Sequence, residues 1–520
     1  MHRRISAALL AAAILTAACS GDPPQSADDR PVPGGNLRVA LRETGTLDPS
    51  RASWRGSLVV LSQIYDTLTS IDPATGVAVP GVARWEVSRN GLRWRFRLRQ
   101  TRYTDGRLVT ARDFKLAFDR IARKATASDV AFQLENIKGF RDVHDAGTAT
   151  SLSGVTVRRS DVLDITLERP FAELPYRLAH PRLGPIPAHK FARSAKGLGG
   201  APVTNGPFKV ARIAKDTIAL ARNETYSGSN PLVDAITFRA YGEVERGWRA
   251  FSARGVHIAE VPASELATGG SAEQEDAPLW SLVSFAPNLR LSKYQKPEVR
   301  RALSLALNRE AIARGVYGST KTPASGLIPR GVRGFAPDAC SACAHDRDRA
   351  RKLLRAAFGS KPPEIIIDYL SDRTSRLLAQ AVAADLRAVG LPTKVRAHSA
   401  STYLGFLQSG KADLAQSGWI DDVPTPDGFL AQPLLGSSPN NLSGYSDARF
   451  DLLIERARME RDESKRLARY RGAEAHALDQ MAMIPVVFFR QRIGVADAVR
   501  RFRVDGAGVF DGATVWLAKR

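Results

Sequence analysis

The order of apolar and polar residues in the first folded stretch predicts a strand and then a helix. Residues Leu37 to Leu41 alternate with the period of two that is typical of a half-buried strand. Leu58, Leu61 and Tyr65 are three and four residues apart, which predicts a helix from Leu58 to Leu68 with these side chains on one face. The folded part of the chain therefore starts with both kinds of element.

A β-hairpin and a second helix are predicted next. Trp85–Val87 and Trp94–Leu98 alternate as strands do, and Asn90-Gly91 between them is a typical hairpin turn. Thr110 and Asp113 have the spacing of a capping box, in which each residue satisfies a free N–H group at the start of a helix. This spacing predicts a helix that begins after Thr110.

Later segments continue the mixed pattern. Apolar stripes at helical spacing predict helices in residues 299–306, 378–389 and 450–457, and Glu364 to Tyr369 reads as a strand. Gly390 is expected to end the second of these helices. No period of 20–50 residues recurs, so a solenoid is excluded. The pattern predicts an α/β protein of two or three units built on mixed sheets.

The N-terminal residues indicate export. Met1 to Arg4 is basic, and the apolar run from Ile5 to Ala18 is too short to span a bilayer but suits a signal peptide. Small residues followed by Cys19 resemble a bacterial lipoprotein processing site. The resemblance implies that residues 1–18 are removed and that Cys19 carries the lipid. A plain secretory signal is the alternative.

The segment that follows Cys19 is rich in Pro, Gly and polar residues. Residues 19–35 are therefore predicted to be a flexible tether that holds the folded body near the membrane. No later segment has the 18 apolar residues of a membrane span. The expected location is extracytoplasmic, on the membrane through the lipid anchor.

Composition and charge narrow the class further. The 520 residues include 75 Lys and Arg against 53 Asp and Glu, which gives a net charge of +22. The 59 Arg and 16 Lys are spread along the chain without a block of five, so we expect no nucleic-acid partner. A coding bias toward Arg, with no function attached, would also explain the excess of basic residues. Ordinary globular composition excludes a collagen, a coiled coil and a disordered chain.

Motifs of catalysis are missing from the sequence. It contains no Gly-x-Ser-x-Gly elbow, no His-Glu-x-x-His and no Walker A loop, so we predict no catalytic residues, no metal and no cofactor. Cys340 and Cys343 are expected to form a disulfide in an exported protein. A metal site that includes His345 is the alternative. An exported two-lobed α/β protein of this kind suggests a receptor.

A family resemblance covers most of the chain. Residues 82–99 resemble the pattern A-x-x-W-x-x-S-x-D-G-x-x-x-x-F-x-L-R of the extracellular solute-binding proteins of peptide ABC transporters (family 5, the peptide and nickel type), and residues 103–114 continue it. Further matches in the family order are Thr46–Pro49, Asn205–Phe208, Pro297–Ile312, Gly418–Pro426, Asn441–Asp451 and Ile484–Val486.

The resemblance implies a two-lobed fold of the periplasmic-binding-protein type, with a hinge and an extra subdomain on the N-terminal lobe. The implied boundaries are lobe I in residues 36–57, 200–278 and 487–520, the extra subdomain in residues 58–199, and lobe II in residues 279–486. It also implies a function. The lobes capture a peptide ligand and deliver it to the permease and ATPase of an ABC transporter. Other solutes (haem, a nickel chelate or a sugar), an exported peptide-processing enzyme and a non-transporting receptor are the alternatives.

The resemblance also implies ligand-binding residues. Asp422, three residues after a Gly-Trp pair, is expected to bind the α-ammonium of the peptide, and Asp421 is the rival for this role. Arg55 is a candidate partner for the ligand's carboxylate. Main-chain contacts to the peptide are expected from Gly418, Trp419 and Ile420 on one lobe and from Ser53, Trp54 and Arg55 on the other. Where many relatives have Asp, this chain has His257, and the sequence offers no reason.

Overall fold

The computed structural model describes residues 31–73, 75–191, 201–266 and 274–518. The predicted signal peptide, Cys19 and the tether up to residue 30 lie outside the described residues. Within the described part of the chain, no helix is both long and apolar enough to cross a bilayer.

The described residues form nineteen strands and fourteen α-helices. The strands are β1 (Asn36–Leu41), β2 (Thr69–Ile71), β3 (Ala78–Pro80), β4 (Ala83–Val87), β5 (Arg93–Leu98), β6 (Val155–Arg159), β7 (Val162–Thr166), β8 (Phe208–Ala214), β9 (Thr217–Arg222), β10 (Ala235–Ala240), β11 (Ile258–Glu260), β12 (Gln274–Pro287), β13 (Lys321–Pro323), β14 (Ile365–Leu370), β15 (Thr393–His398), β16 (Leu414–Ile420), β17 (Ile484–Val495), β18 (Val499–Arg500) and β19 (Trp516–Leu517). The helices are α1 (Arg55–Ile64), α2 (Ala111–Ala122), α3 (Leu174–Arg177), α4 (Ala188–Phe191), α5 (Val244–Ser252), α6 (Ala263–Leu266), α7 (Pro297–Ala306), α8 (Arg309–Tyr317), α9 (Arg347–Phe358), α10 (Arg373–Ala388), α11 (Ala400–Gln408), α12 (Pro426–Leu434), α13 (Ala448–Met459) and α14 (Glu463–Asp479).

One mixed sheet of eleven strands runs through the molecule in the order β15-β14-β16-β12-β17-β11-β1-β10-β9-β8, with β13 on β17. The long strands β12 and β17 lie at its centre and pair antiparallel along most of their length. Their register shifts between Pro278 and Leu282. We refer to the part of the sheet from β11 to β8 as lobe I and to the part from β15 to β16 as part of lobe II.

A separate antiparallel sheet, β4-β5-β7-β6, carries the extra subdomain, which we take as residues 68–191. The predicted hairpin is confirmed, since β4 pairs with β5 and Gly91 adopts a φ of 72° in the turn. The predicted capping box is also confirmed, since the N–H of Thr110 donates to Oδ2 of Asp113 over 2.8 Å. Phe96, Phe114 and Phe118 are completely buried in the core between this sheet and α2.

The first predicted helix has the wrong bounds. It was expected from Leu58 to Leu68, but α1 runs from Arg55 to Ile64, and Tyr65 is extended. Residues 205–206 pack against the end of this helix, and the N–H of Gly206 donates to the carbonyl of Ile64 over 2.8 Å. The later helices and the strand near residue 365 lie where the apolar stripes placed them, with ends that differ by a few residues.

Three large apolar cores correspond to the three bodies in the described residues. Val59 to Tyr65 of α1, which the domain prediction assigned to the extra subdomain, pack in the core of lobe I with β1 and β10. The extra subdomain has its own core from Leu68 to Ile186. The largest core holds β12, β14, β17 and the helices α7 to α10 and α12 to α14 of lobe II. These cores confirm the mixed α/β class.

Candidate ligand-binding site

Strand β16 ends in the segment that the sequence singled out. Its whole length pairs with β12, so that Gly418 lies opposite Val283 and Ile420 opposite Ser281. On its other side, β14 pairs only with Leu414 and Ala415. Among the described residues, no strand covers the edge of β16 from Gln416 to Ile420. The hydroxyl of Tyr403 donates to the carbonyl of Gln416 over 2.6 Å, so the edge offers a ligand the backbone groups that follow it.

Two residues of this segment have packing roles that explain their identity. A Cβ atom on Gly418 would lie 2.4 Å from the carbonyl oxygen of Leu282, so only glycine permits the close pairing of β16 with β12. Trp419 packs its ring edge-on against Phe132 of the extra subdomain, with ring centroids 6.3 Å apart. Ile420 remains 69% exposed at the end of the strand.

Asp422 lies just past the end of β16 and is held by a histidine of the extra subdomain. Its Oδ2 is 3.0 Å from Nε2 of His180, and 32% of the Asp422 side chain is exposed. Burial raises the pKa of Asp422, and the hydrogen bond with His180 is the strongest of several effects that oppose this shift. The charges of Arg182 and Arg55 act in the same direction, and the resulting pKa lies below the usual value. Asp422 is therefore ionised and partly accessible.

Asp421 has the opposite environment. It is 1% exposed, its Oδ1 accepts the N–H of Val423 over 3.2 Å, and its Oδ2 has no hydrogen-bond partner. Burial raises the pKa of Asp421 to about 7, which the charge of Arg177 only partly offsets. Because Asp421 is buried, it is the weaker candidate for contact with a ligand.

The residues that the family resemblance expects on the facing lobe lie at the start of α1. Trp54 is the N-cap residue of α1 and is 62% exposed, and Ser53 beside it is also exposed. Arg55 begins the helix, and its guanidinium packs over Gly508.

Carboxylates surround Arg55. Desolvation by the surrounding protein lowers the pKa of Arg55, and Glu260, Asp422 and Asp505 oppose this shift. Burial raises the pKa of Asp505 to about 6 and also raises that of Glu260. Arg42 and Lys321 also act on Glu260, and Arg182 also acts on Asp422, so this part of the structure holds both carboxylates and cations.

Comparisons with known proteins address the family rather than individual side chains. A family model described as "Bacterial extracellular solute-binding proteins, family 5 Middle" matches residues 78–441, which is more than half of the chain.

The chain belongs to this family.

Three relatives illustrate its range. The solute-binding protein is 26% identical to the periplasmic oligopeptide-binding protein OppA of Salmonella typhimurium, over 92% of this chain and 93% of OppA. It is 27% identical to the probable deoxycholate-binding periplasmic protein YgiS of Escherichia coli strain K12, over 86% of each chain. The unliganded open form of the murein tripeptide-binding protein MppA superposes with a TM-score of 0.82 at 22% identity, over 93% of this chain and 98% of MppA. The predicted two-lobed fold and the family are thereby confirmed.

The structure joins the two cysteines of the sequence prediction. Cys340 and Cys343 form a disulfide with Cα atoms 5.3 Å apart. Within the described residues, no group of three or more His, Cys, Asp or Glu side chains has the geometry to hold a metal ion. His257 has a structural role in this solute-binding protein, because its Nδ1 accepts the N–H of Arg38 in β1 over 3.1 Å.

Sequence reasoning missed the residues that the extra subdomain contributes. His180 precedes Asp422 by 242 residues, and its local pattern does not distinguish it from the other seven histidines. Arg182, whose charge lowers the pKa of Asp422, was missed because its local sequence gives no sign of this role either. Only the arrangement of the three bodies brings these side chains to the end of β16.

Proposed function

We propose that this solute-binding protein captures peptides with a free amino end and supplies them to an ABC transporter permease. The observation that carries the proposal is the open edge of β16, which ends at the accessible carboxylate of Asp422. The backbone groups that would bind the main chain of the peptide thus lie next to the carboxylate that would bind its amino end.

The open edge suits a peptide in extended conformation. An added strand exchanges backbone hydrogen bonds with the edge, so affinity depends little on the side chains of the ligand. Gly418, Trp419 and Ile420 supply this edge. Across the site, Ser53 and Trp54 are exposed and supply the facing contacts.

The charge distribution sets the direction of the peptide. An α-ammonium group that leaves water needs a partner, because an unpaired buried charge costs several kcal/mol. Asp422 is the partner in this proposal, since it is ionised and partly exposed whereas Asp421 is buried. The relatives OppA and MppA, named for oligopeptides and a murein tripeptide, support this ligand class.

Native mass spectrometry of the purified protein tests the ligand class directly. We expect complexes with tri- and tetrapeptides after incubation with a mixture of both, and unchanged peptide masses after prolonged incubation. Cleaved peptides would support an exported enzyme instead. Binding of deoxycholate but not of peptides would overturn the proposal in favour of the ligand for which YgiS is named.

Membrane attachment belongs to the same proposal, and the sequence at Cys19 supports it. Two or three acyl chains on Cys19 give stable anchoring. The Cys19→Ala variant is expected to leave the detergent phase in which the wild-type protein partitions. Equal partitioning of the two proteins would contradict a lipid anchor at Cys19.

A further inference from the structure

The partner of Asp422 is a fully buried histidine from another body of the protein. The His180 side chain has no exposed surface, and its Nε2 lies 3.0 Å from Oδ2 of Asp422. His180 follows α3 in the extra subdomain, whereas Asp422 follows β16 in lobe II. The extra subdomain thus makes a direct hydrogen bond to the candidate site through this ring.

The hydrogen bonds of His180 determine which ring nitrogen carries the proton. The backbone N–H of Arg182 donates to Nδ1 over 3.1 Å. A nitrogen that accepts a hydrogen bond carries no proton of its own, so the proton of the neutral ring is on Nε2. Nε2–H therefore donates to Asp422.

A neutral donor has a different effect on Asp422 from a cation. It fixes the position of Oδ2 but leaves the negative charge of the carboxylate for another partner. In the described residues, Oδ1 of Asp422 has no hydrogen-bond partner, and the side chain is 32% exposed. One oxygen is thus held in place, and the other is available.

The chain on both sides of His180 is fixed. Three residues earlier, Arg177 pairs with Asp427 of lobe II over 3.1 Å. Two residues later, Nε of Arg182 donates to the carbonyl of Pro49 in lobe I over 2.9 Å. The ring is therefore held between the two lobes.

We propose that His180 is a positioning residue for the ligand, which orients Asp422 so that its free oxygen receives a cationic amino group. The inference rests on the proposed function and adds to it a residue from the extra subdomain. Without the Nε2–H donor, the Asp422 side chain loses its fixed rotamer and has to be ordered again when a ligand binds.

The inference is tested by substitutions of His180 that hold an N–H donor at different distances from the backbone. In His180→Gln the side-chain amide can place an N–H near the position of Nε2. In His180→Asn the amide is one carbon shorter, and in His180→Ala there is no donor. The probes are trialanine and tetraalanine, each with a free or an acetylated amino end, and the readout is the dissociation constant by calorimetry.

We expect His180→Ala to weaken binding of the free peptides about 10-fold to 100-fold, as the loss of a charge-assisted hydrogen bond does. His180→Gln should stay within about threefold of the wild type, and His180→Asn should resemble His180→Ala. Binding of the acetylated peptides should change little in all three variants.

Two results would overturn the inference. One is an equal loss for free and acetylated peptides without rescue by Gln, which would assign His180 a structural role only. The other is unchanged binding in His180→Ala. If the wild-type protein binds none of the four probes, the proposed peptide function fails first, and the positioning role fails with it. Melting temperatures of the three variants identify any that do not fold.

Discussion

Arg177 of the extra subdomain and Asp427 of lobe II form an ion pair in the interior of the protein. Nη2 of Arg177 is 3.1 Å from Oδ2 of Asp427, and the two side chains are 1% and 0% exposed. Arg458 donates two further hydrogen bonds to the same carboxylate, of 2.6 Å and 2.9 Å, and the hydroxyl of Tyr470 donates a third over 3.1 Å. The carboxylate of Asp427 thus joins two bodies of the protein.

Removal of Asp427 should destabilise the protein strongly. The Asp427→Ala variant removes the carboxylate that Arg177 and Arg458 share as a direct hydrogen-bond partner, and loss of one partner of a buried pair costs about 3–5 kcal/mol. Urea denaturation of the two proteins measures the difference in free energy of unfolding.

An exposed ion pair at the same junction provides the control. Arg169 and Glu455 are 2.7 Å apart, but their side chains are 79% and 47% exposed. Glu455→Ala should therefore cost less than about 1 kcal/mol. Similar losses in the free energy of unfolding of the two variants would contradict the view that burial makes the Arg177–Asp427 pair important for stability.

The sequence predicted local features better than contacts between distant segments. The hairpin around Asn90-Gly91 and the capping box of Thr110 depend on a few neighbouring residues, and both are present. The end of α1 at Ile64 depends instead on Gly206, which no local period encodes.

The same limit applies to the candidate site. The family resemblance identified Gly418 to Asp422, because these residues are contiguous in sequence. It could not identify His180, which reaches Asp422 through the packing of the extra subdomain on lobe II. The open edge of β16 was also unpredictable, since it exists only because β14 pairs with two residues at the start of that strand.

Gly418→Ala should disturb both stability and binding. The added methyl group would lie 2.4 Å from the carbonyl oxygen of Leu282, so β16 must move away from β12. We expect a loss of about 1–3 kcal/mol in the free energy of unfolding, as overpacking usually causes, and weaker peptide binding because the strand edge shifts.

Gly472→Ala in α14 is the matched control. A Cβ atom there meets nothing within 4 Å, and alanine favours a helix over glycine by about 1 kcal/mol. This variant should be as stable as the wild type or more so, with unchanged peptide affinity. If Gly418→Ala behaves in the same way, the close contact with Leu282 does not constrain residue 418.

Asp421 should make stability depend on pH. An aspartate in an unfolded chain has a pKa of about 3.9, whereas burial raises the pKa of Asp421 to about 7 in the folded protein. Between these values the folded state binds more protons than the unfolded state, so the free energy of unfolding falls as the pH rises, and the loss is complete above about pH 7.

Asp421→Asn should remove this loss. We expect the variant to be more stable than the wild type at pH 8, by about 1–2 kcal/mol, and the difference to disappear near pH 3. Burial also raises the pKa of Glu173 to about 7 and that of Asp66 to about 6, but both residues are present in the two proteins, so their effects cancel in the difference. A variant that is less stable than the wild type at pH 8 would mean that ionised Asp421 is well compensated by Arg177.

Asp422→Asn should weaken peptide binding without a comparable loss of stability. The carboxylate is partly exposed, and its shape is nearly retained by the amide, so loss of its charge should cost less in folding than in binding. The bound ammonium group does depend on it, because closure of the lobes removes water from the pair. Loss of the charge should cost about 2–4 kcal/mol, or roughly 30-fold to 1000-fold in affinity. Asp421→Asn, in contrast, should bind peptides as the wild type does.

A double cycle separates a direct contact from a general effect of charge. The wild-type protein and Asp422→Asn are each titrated calorimetrically with one peptide that has a free amino end and with its N-acetylated form. If Asp422 contacts the ammonium group, acetylation weakens binding to the wild type strongly and binding to the variant much less, because the pair is already broken. If the two penalties simply add, Asp422 does not contact the amino end. In that case Asp421 must turn toward the ligand, or the ligand is a solute without a free amine.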